Sequence, residues 1–272
     1  MEKNHHQKLR DMVYGFAVGD ALGVPFEGKG RGTFQCTGMT GYVVHHQPPG
    51  TWSDDTSLML ATCDSIRACS RIDLRDIMIV MSEWYLWGRY AINHDVFDCG
   101  NVTRMALNNF IDAMPAEYCG VADDEIANGN GALMRILPLA FLPDIDADTI
   151  NNVAGLTHNT SFNCAYCRKL VQICRDLING KDYQNDELKS LPIEMVRSSG
   201  YVADTFVAAI WCLLNSDNYK DTVLTAVNLG GDTDTIAAIA GGLAGVKYGS
   251  DAIPKEWVEQ LRGRHIIENC LF

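Results

Sequence analysis

Two short polar runs in this chain could build a cation site. The first is Ser53-Asp54-Asp55-Thr56, preceded by Gly50, Thr51 and Trp52. The second is Asp232-Thr233-Asp234-Thr235, preceded by Gly230 and Gly231. Carboxylates and hydroxyls are hard oxygen donors, which select Mg²⁺ or Mn²⁺ over softer metals. Asp54, Asp55, Asp232 and Asp234 together carry about −4 when ionised, and brought together they would repel and raise one another's pKa. Two divalent cations would neutralise them, and paired ions can activate water and clamp substrate oxygens. A plainer reading exists for each run. Both stand before apolar helical stretches, where Ser, Thr and Asp are preferred caps and an acidic first turn suits the helix dipole. Capping explains one or two residues of each run. It explains neither the four polar residues after Trp52 nor the Gly-Gly turn beside Asp232, which permits unusual backbone angles.

Other polar groups have both a chemical and a structural reading. Asn128-Gly129-Asn130-Gly131 has residues small enough for backbone N–H groups to approach a phosphate or ribose, or it is a polar turn before a helix expected over 132–142. Asp98 and His158 each stand before a helical stretch, as caps or as ligand contacts. Arg135 either supports a pocket or plays a structural part, and the structural part is favoured. His5, His6, His45 and His46 form pairs without metal-ligand spacing and read as loop residues. Asp123-Asp124-Glu125 reads as a solvated loop. Cys164 and Cys167 have a redox or zinc-like spacing, but no second pair accompanies them, so they read as core.

The elements that must hold these groups are helical. Leu9, Met12, Val13, Phe16 and Ala17 line one helix face, and that helix is expected to stop near residues 20–25. Apolar periodicity predicts further helices around 58–69, 74–85, 102–110, 167–178, 203–215, 221–229, 234–248 and 255–267. Period-two alternation is nearly absent, although 41–46 could be extended. The predicted fold is all-α, a compact helical bundle in a single domain over 1–272. The expected linkers are 28–49, 114–131 and 179–192, and long loops in such domains are often functional.

Bulk properties narrow the partners. The net charge of −12 disfavours nucleic acid and anionic lipid. No apolar run reaches the length of a membrane span. The N-terminus is polar and lacks an apolar h-region, so no signal peptide is expected. Ten unpatterned cysteines suit a reducing compartment, so a cytoplasmic protein is expected, with a monomer favoured.

Five segments in order carry a resemblance: Gly15-Phe-Ala-Val-Gly-Asp20-Ala-Leu-Gly23-Val-Pro25-Phe-Glu27, Trp52-Ser-Asp-Asp-Thr56, Asn128-Gly-Asn-Gly-Ala-Leu-Met-Arg135, Leu156-Thr-His158 and Gly230-Gly-Asp-Thr-Asp-Thr235. Together the series resembles the ADP-ribosylglycohydrolase family, over about residues 8–250. The resemblance implies an orthogonal all-α fold with a binuclear Mg²⁺ or Mn²⁺ centre held by Ser53, Asp54, Asp55, Asp232, Asp234 and Thr235. It implies hydrolysis of the bond between ADP-ribose and an acceptor, with Asp55 or Glu27 assisting proton transfer. Asn128, Gly129, Asn130, Gly131 and His158 would meet the ADP-ribose. Asp98 matches a segment whose aspartate faces a guanidinium, which favours an ADP-ribosylated arginine on a protein. ADP-ribosylserine, O-acetyl-ADP-ribose or a related small molecule is the alternative substrate. A protein that binds ADP-ribose without cleaving it is the alternative from another class.

Overall fold

The computed structural model describes residues 2–272. Twelve α-helices follow one another among the described residues: α1 (Glu2–Gly23), α2 (Asp54–Cys69), α3 (Leu74–Trp87), α4 (Asn101–Ile111), α5 (Ala147–Gly155), α6 (Ser161–Ile178), α7 (Asp186–Lys189), α8 (Val202–Leu214), α9 (Tyr219–Asn228), α10 (Thr233–Tyr248), α11 (Lys255–Gln260) and α12 (Arg264–Cys270). Two isolated bridges, Val121 with His158 and Gly129 with Tyr201, are the nearest thing to sheet among these residues. The all-α expectation holds. No described helix is long and apolar enough to cross a membrane.

Helices α1 and α10 form the central pair, and their backbones nearly touch. A Cβ on Gly15 would stand 2.3 Å from the Gly241 carbonyl oxygen, and one on Gly19 would stand 2.1 Å from that of Ala237. A Cβ on Gly245 would stand 2.2 Å from the Asp11 oxygen. Gly15, Gly19 and Gly23 recur every fourth residue and so share a face of α1. Gly241 and Gly245 do the same on α10. This close approach fixes Asp20 on α1 against Asp234 on α10. Tyr219 of α9 donates its hydroxyl to the Gly15 carbonyl at 2.7 Å and braces the pair. Buried apolar side chains from Leu9 to Leu271 form one contiguous core around it.

Three expectations about elements are corrected. Residues 132–142 make two 3₁₀ turns, Leu133–Arg135 and Leu137–Phe141, in place of an α-helix. Pro138 lacks an N–H, and proline also restricts the residue before it. The stretch 255–267 is broken between α11 and α12 by extended Leu261 and left-handed Gly263. A Cβ on Gly263 would stand 2.4 Å from Ile92 and 2.6 Å from the Trp52 ring. Residues 41–46 pair with no strand, because Tyr42 and His46 take left-handed backbone angles. Two helices were not anticipated: α5, and α7 within the linker 179–192.

His5 and His6, expected in a loop, lie in helix α1 instead. All ten cysteines are free, and Cys164 and Cys167 are buried in the core. Asp123, Asp124 and Glu125 are exposed.

Candidate active site

The start of α2 is shaped from outside its own chain segment. Ser53, at the N-cap, accepts the Asp55 N–H on its hydroxyl at 3.2 Å. Asp20 completes the cap from α1. One of its oxygens accepts the Ser53 N–H at 2.9 Å, and the other accepts the Thr56 N–H at 3.0 Å and the Thr56 hydroxyl at 2.6 Å. A helix leaves its first N–H groups without intrahelical partners, so a buried carboxylate placed there removes a desolvation cost and fixes the turn.

The start of α10 depends on the Gly-Gly turn. Gly230 and Gly231 both have φ of 72°, where side chains are strained. A Cβ on Gly231 would also stand 2.0 Å from the Ser198 oxygen. The turn is tied by Gly28 N–H to the Gly231 carbonyl and by Gly231 N–H to the Lys29 carbonyl, each at 2.8 Å. This fastening brings Glu27, at the end of the α1 segment, beside the second aspartate cluster.

The two clusters meet. Carboxylate oxygens of Asp20, Asp55 and Asp234 all lie within 4.8 Å of one another, and all three residues are buried. One Asp55 oxygen accepts hydroxyls from Ser53 at 3.1 Å and from Thr235 at 3.2 Å. The other Asp55 oxygen, and one Asp234 oxygen, are buried without a hydrogen-bond partner. Buried orphan oxygens on neighbouring carboxylates are costly unless a cation meets them. Thr235, which donates to Asp55, also lines a cleft of about 250 Å³ together with Glu27, Asp54, Asp98, Asp232, the segment Gly129–Gly131 and His158. Larger hollows elsewhere, such as the one between α3 and α4, lack these carboxylates.

Charge crowding shows in the titration of the groups. Burial, and then neighbouring negative charge, hold Asp54, Asp55 and Asp234 well above the usual carboxylate range. Burial pushes Asp20 up to about 6, against the hydrogen bonds from Thr56 and Ser53. Asp98 is pushed up to about 7, by burial first and Glu27 next. Asp232 is raised by burial, partly offset by hydrogen bonds from groups including Asn130, whose amide donates to it at 2.7 Å. All these shifts share burial as their first cause, and neighbouring carboxylates add to it at Asp54, Asp55 and Asp234. Hard oxygen donors, orphan oxygens and repelling carboxylates together fit divalent cations.

Asp20 differs from its neighbours. Its two oxygens already take three donors, so it anchors α2, whereas Asp55 and Asp234 keep oxygens free for an ion. The expected metal residues Ser53, Asp54, Asp55, Asp232, Asp234 and Thr235 are gathered in one place, as are Glu27, Asp98, Gly129, Asn130, Gly131 and His158. Asn128 is not brought into the cleft. Its amide donates to the Asp124 carbonyl at 2.9 Å, and its oxygen accepts the Thr160 hydroxyl at 2.5 Å, so its side chain braces the loop.

Sequence reasoning passed over three groups. Asp20 continues the apolar stripe of α1 at i+4 from Phe16, and an aspartate at a stripe position was the available signal. His45 was read as a bare loop residue, but its Nε2 bonds the Glu27 carboxylate within a cluster that includes Asp98. The imidazole pKa is raised, mainly by that bond. Phe162 and Tyr201 stand exposed with ring centroids 5.6 Å apart, and Tyr201 is paired through its backbone with Gly129. No periodicity foretells such an aromatic ledge, because its members come from distant segments.

Comparison with known proteins gives the family. The family model described as ADP-ribosylglycohydrolase matches residues 1–271. The chain is 33% identical to the ADP-ribosylarginine hydrolase Tri1 of Serratia proteamaculans (strain 568), over 98% of this chain and 79% of that protein. It is 31% identical to the ADP-ribosyl-[dinitrogen reductase] glycohydrolase of Rhodospirillum rubrum, over 94% of this chain and 90% of that one. A solved structure titled an ADP-ribosylglycohydrolase-related protein complex superposes with a TM-score of 0.81 at 30% identity, covering 99% and 97% of the two chains. With its fold, its paired aspartate clusters and these relatives in agreement, the chain belongs to the ADP-ribosylglycohydrolase family.

Proposed function

We propose that this chain hydrolyses the N-glycosidic bond between ADP-ribose and an arginine side chain of a modified protein, and that it does so with divalent cations bound. The carrying observation is the buried cluster of Asp20, Asp55 and Asp234, in which Asp55 and Asp234 each keep an oxygen without a partner, beside a cleft walled by further carboxylates. Asp55, Asp234, Asp54, Asp232, Ser53 and Thr235 would hold two Mg²⁺ or Mn²⁺ ions. When bound, such ions supply charge neutralisation and Lewis acidity toward ribose hydroxyls.

The protein's own groups would do the rest. Asp98 and Glu27 present negative charge where a guanidinium would lie, a pairing that charge-assisted hydrogen bonds favour. A water attacks the anomeric carbon as Glu27 or Asp55 accepts its proton. The carbon–nitrogen bond breaks, and the proton passes to the departing guanidine. The nucleotide would run along Gly129 and Asn130, which line the cleft. That path leads to Phe162 and Tyr201, whose faces suit a purine, since base–aromatic stacking needs no particular base edge.

A release assay with arginine-linked and serine-linked ADP-ribosyl peptides, with and without EDTA, tests this reading. Release from the arginine peptide alone, abolished by chelation and lost in Asp98→Ala, is expected. Full release in excess EDTA would sink the metal role. Tight ADP-ribose binding with no release would make the protein a binder. Equal turnover of the serine peptide, undisturbed by Asp98→Ala, would remove the arginine assignment.

A further inference from the structure

Behind the Gly129–Gly131 segment runs a polar chain that the hydrolytic reading does not use. Arg135 is fully buried, and among the described residues it has no carboxylate partner. Its guanidinium donates to the Val153 carbonyl at 3.0 Å, to the Ala154 carbonyl at 3.3 Å and to the Thr157 hydroxyl at 2.8 Å. Its Nε is left without a partner. A guanidinium can only donate, so Thr157 Oγ1 is the acceptor in that contact. The other neighbour of Thr157 Oγ1 is His158 Nδ1, at 2.9 Å. Were Nδ1 protonated and donating, the Thr157 hydroxyl proton would be buried with no acceptor, which is unfavourable. Thr157 therefore donates to Nδ1, and the ring proton sits on Nε2.

That nitrogen faces the cleft. A Cβ on Gly131 would stand 3.3 Å from His158 Nε2, and one on Gly129 would stand 3.6 Å away. Among the described residues Nε2 has no hydrogen-bond partner. Burial, helped by the charge of Arg135, holds the His158 pKa down to about 3, so the ring stays neutral. Burial lowers the Arg135 pKa only to about 10, so the guanidinium stays charged. Besides its carboxylates, the cleft thus offers an N–H donor with a buried, uncompensated cation behind it.

We propose that Arg135, acting through Thr157, fixes His158 as a neutral Nε2–H donor aimed into the cleft, where it meets an anionic oxygen of the ligand's diphosphate. The identity of that acceptor rests on the ADP-ribose reading; the tautomer does not. Arg135 and Thr157 are positioning residues, and His158 makes the contact.

The test is ¹⁵N NMR of the His158 ring in the whole protein, together with calorimetry using ADP-ribose and inorganic pyrophosphate in Mg²⁺ buffer. The wild-type ring should be the Nε2–H tautomer near neutral pH. Thr157→Val should remove the donor to Nδ1, move the Nδ1 resonance to that of a nitrogen without a hydrogen bond and weaken ADP-ribose binding about tenfold or more, the size expected for one hydrogen bond to a charged group. Thr157→Ser should restore both. An Nδ1–H ring in the wild type, or an Nδ1 resonance unmoved by Thr157→Val, overturns the proposal. The wild-type spectrum decides it even if the valine variant does not fold. If neither ADP-ribose nor pyrophosphate binds the wild-type protein, the ADP-ribose reading and the diphosphate contact both fall, and the ring spectrum still decides the relay.

Discussion

Asp20 commits both carboxylate oxygens to the first turn of α2, while Asp55 and Asp234 each keep one oxygen without a partner. Identical side chains thus take different parts, set by which donors surround them. Replacing Asp20 by Asn puts an N–H₂ group against an N–H it must accept, so α2 should start out of place. We expect a 10–100-fold loss of Mg²⁺ or Mn²⁺ affinity in Asp20→Asn, the usual size when a group supporting a ligand is lost. Calorimetry with the metal alone reads this, and unchanged affinity would show that Asp20 does not position the ligands. Tyr201 makes a second prediction at this scale. Base–aromatic stacking is worth about 1–3 kcal/mol, so Tyr201→Ala should weaken ADP-ribose binding about tenfold to a hundredfold. Binding of ribose 5-phosphate, which has no base, should be unaffected. An equal loss for both ligands would place Tyr201's effect elsewhere than on the purine.

Helices α1 and α10 meet backbone to backbone, and their spacing sets the distance between Asp20 and Asp234. Gly19→Ala would force a Cβ to within 2.1 Å of the Ala237 oxygen. Neither backbone can yield alone, so the helices must part, at a cost of about 3 kcal/mol or more. Gly242→Ala should cost less, because its Cβ would meet only side-chain atoms, the nearest 3.1 Å away. Denaturant midpoints of the two variants compare these costs directly, and equal midpoints would contradict the backbone contact. The helical pattern made much of this legible in advance, since apolar faces at i, i+3 and i+4 report on local geometry. Gly15 and Gly19 on α1 and the residues they meet on α10 lie over 200 residues apart in the chain, so no local pattern announces their contact. The same limit hid Asp20. The two acidic runs were visible as helix starts, whereas the group that shapes the first of them sits in another helix. Residues 132–142 misled because an apolar run says nothing of the backbone donor missing at Pro138.

At the scale of the whole molecule, the clustered acids oppose folding near neutral pH. Burial raises Asp20 to about 6 and Asp98 to about 7, above their unfolded value of 3.8. An acid raised by folding contributes its full stability below the unfolded pKa and loses it as pH climbs through the folded one. Metal-free protein should therefore lose stability progressively between about pH 4 and pH 7, with Asp54, Asp55 and Asp234 contributing in the same direction. Mg²⁺ or Mn²⁺ should reverse this at neutral pH, by about 2.7 kcal/mol at a hundred times Kd. Thermal unfolding at pH 5 and pH 7.5, with metal and with chelator, checks the sign. A chelated protein that melts higher at pH 7.5 would refute it.

The pairing of α1 with α10 also bears on the order in which the protein is made. Translation delivers Asp20, Asp54 and Asp55 early, and Asp234 only after most of the 272 residues have emerged. Until then the glycine face of α1 has no partner, and its groove is open to any other helix with small residues. The nascent chain therefore carries three of its buried carboxylates before it has the helix that closes their site. Closure over such a sequence separation is slow relative to local helix formation. Fragments ending before Asp234 lack one side of the carboxylate cluster.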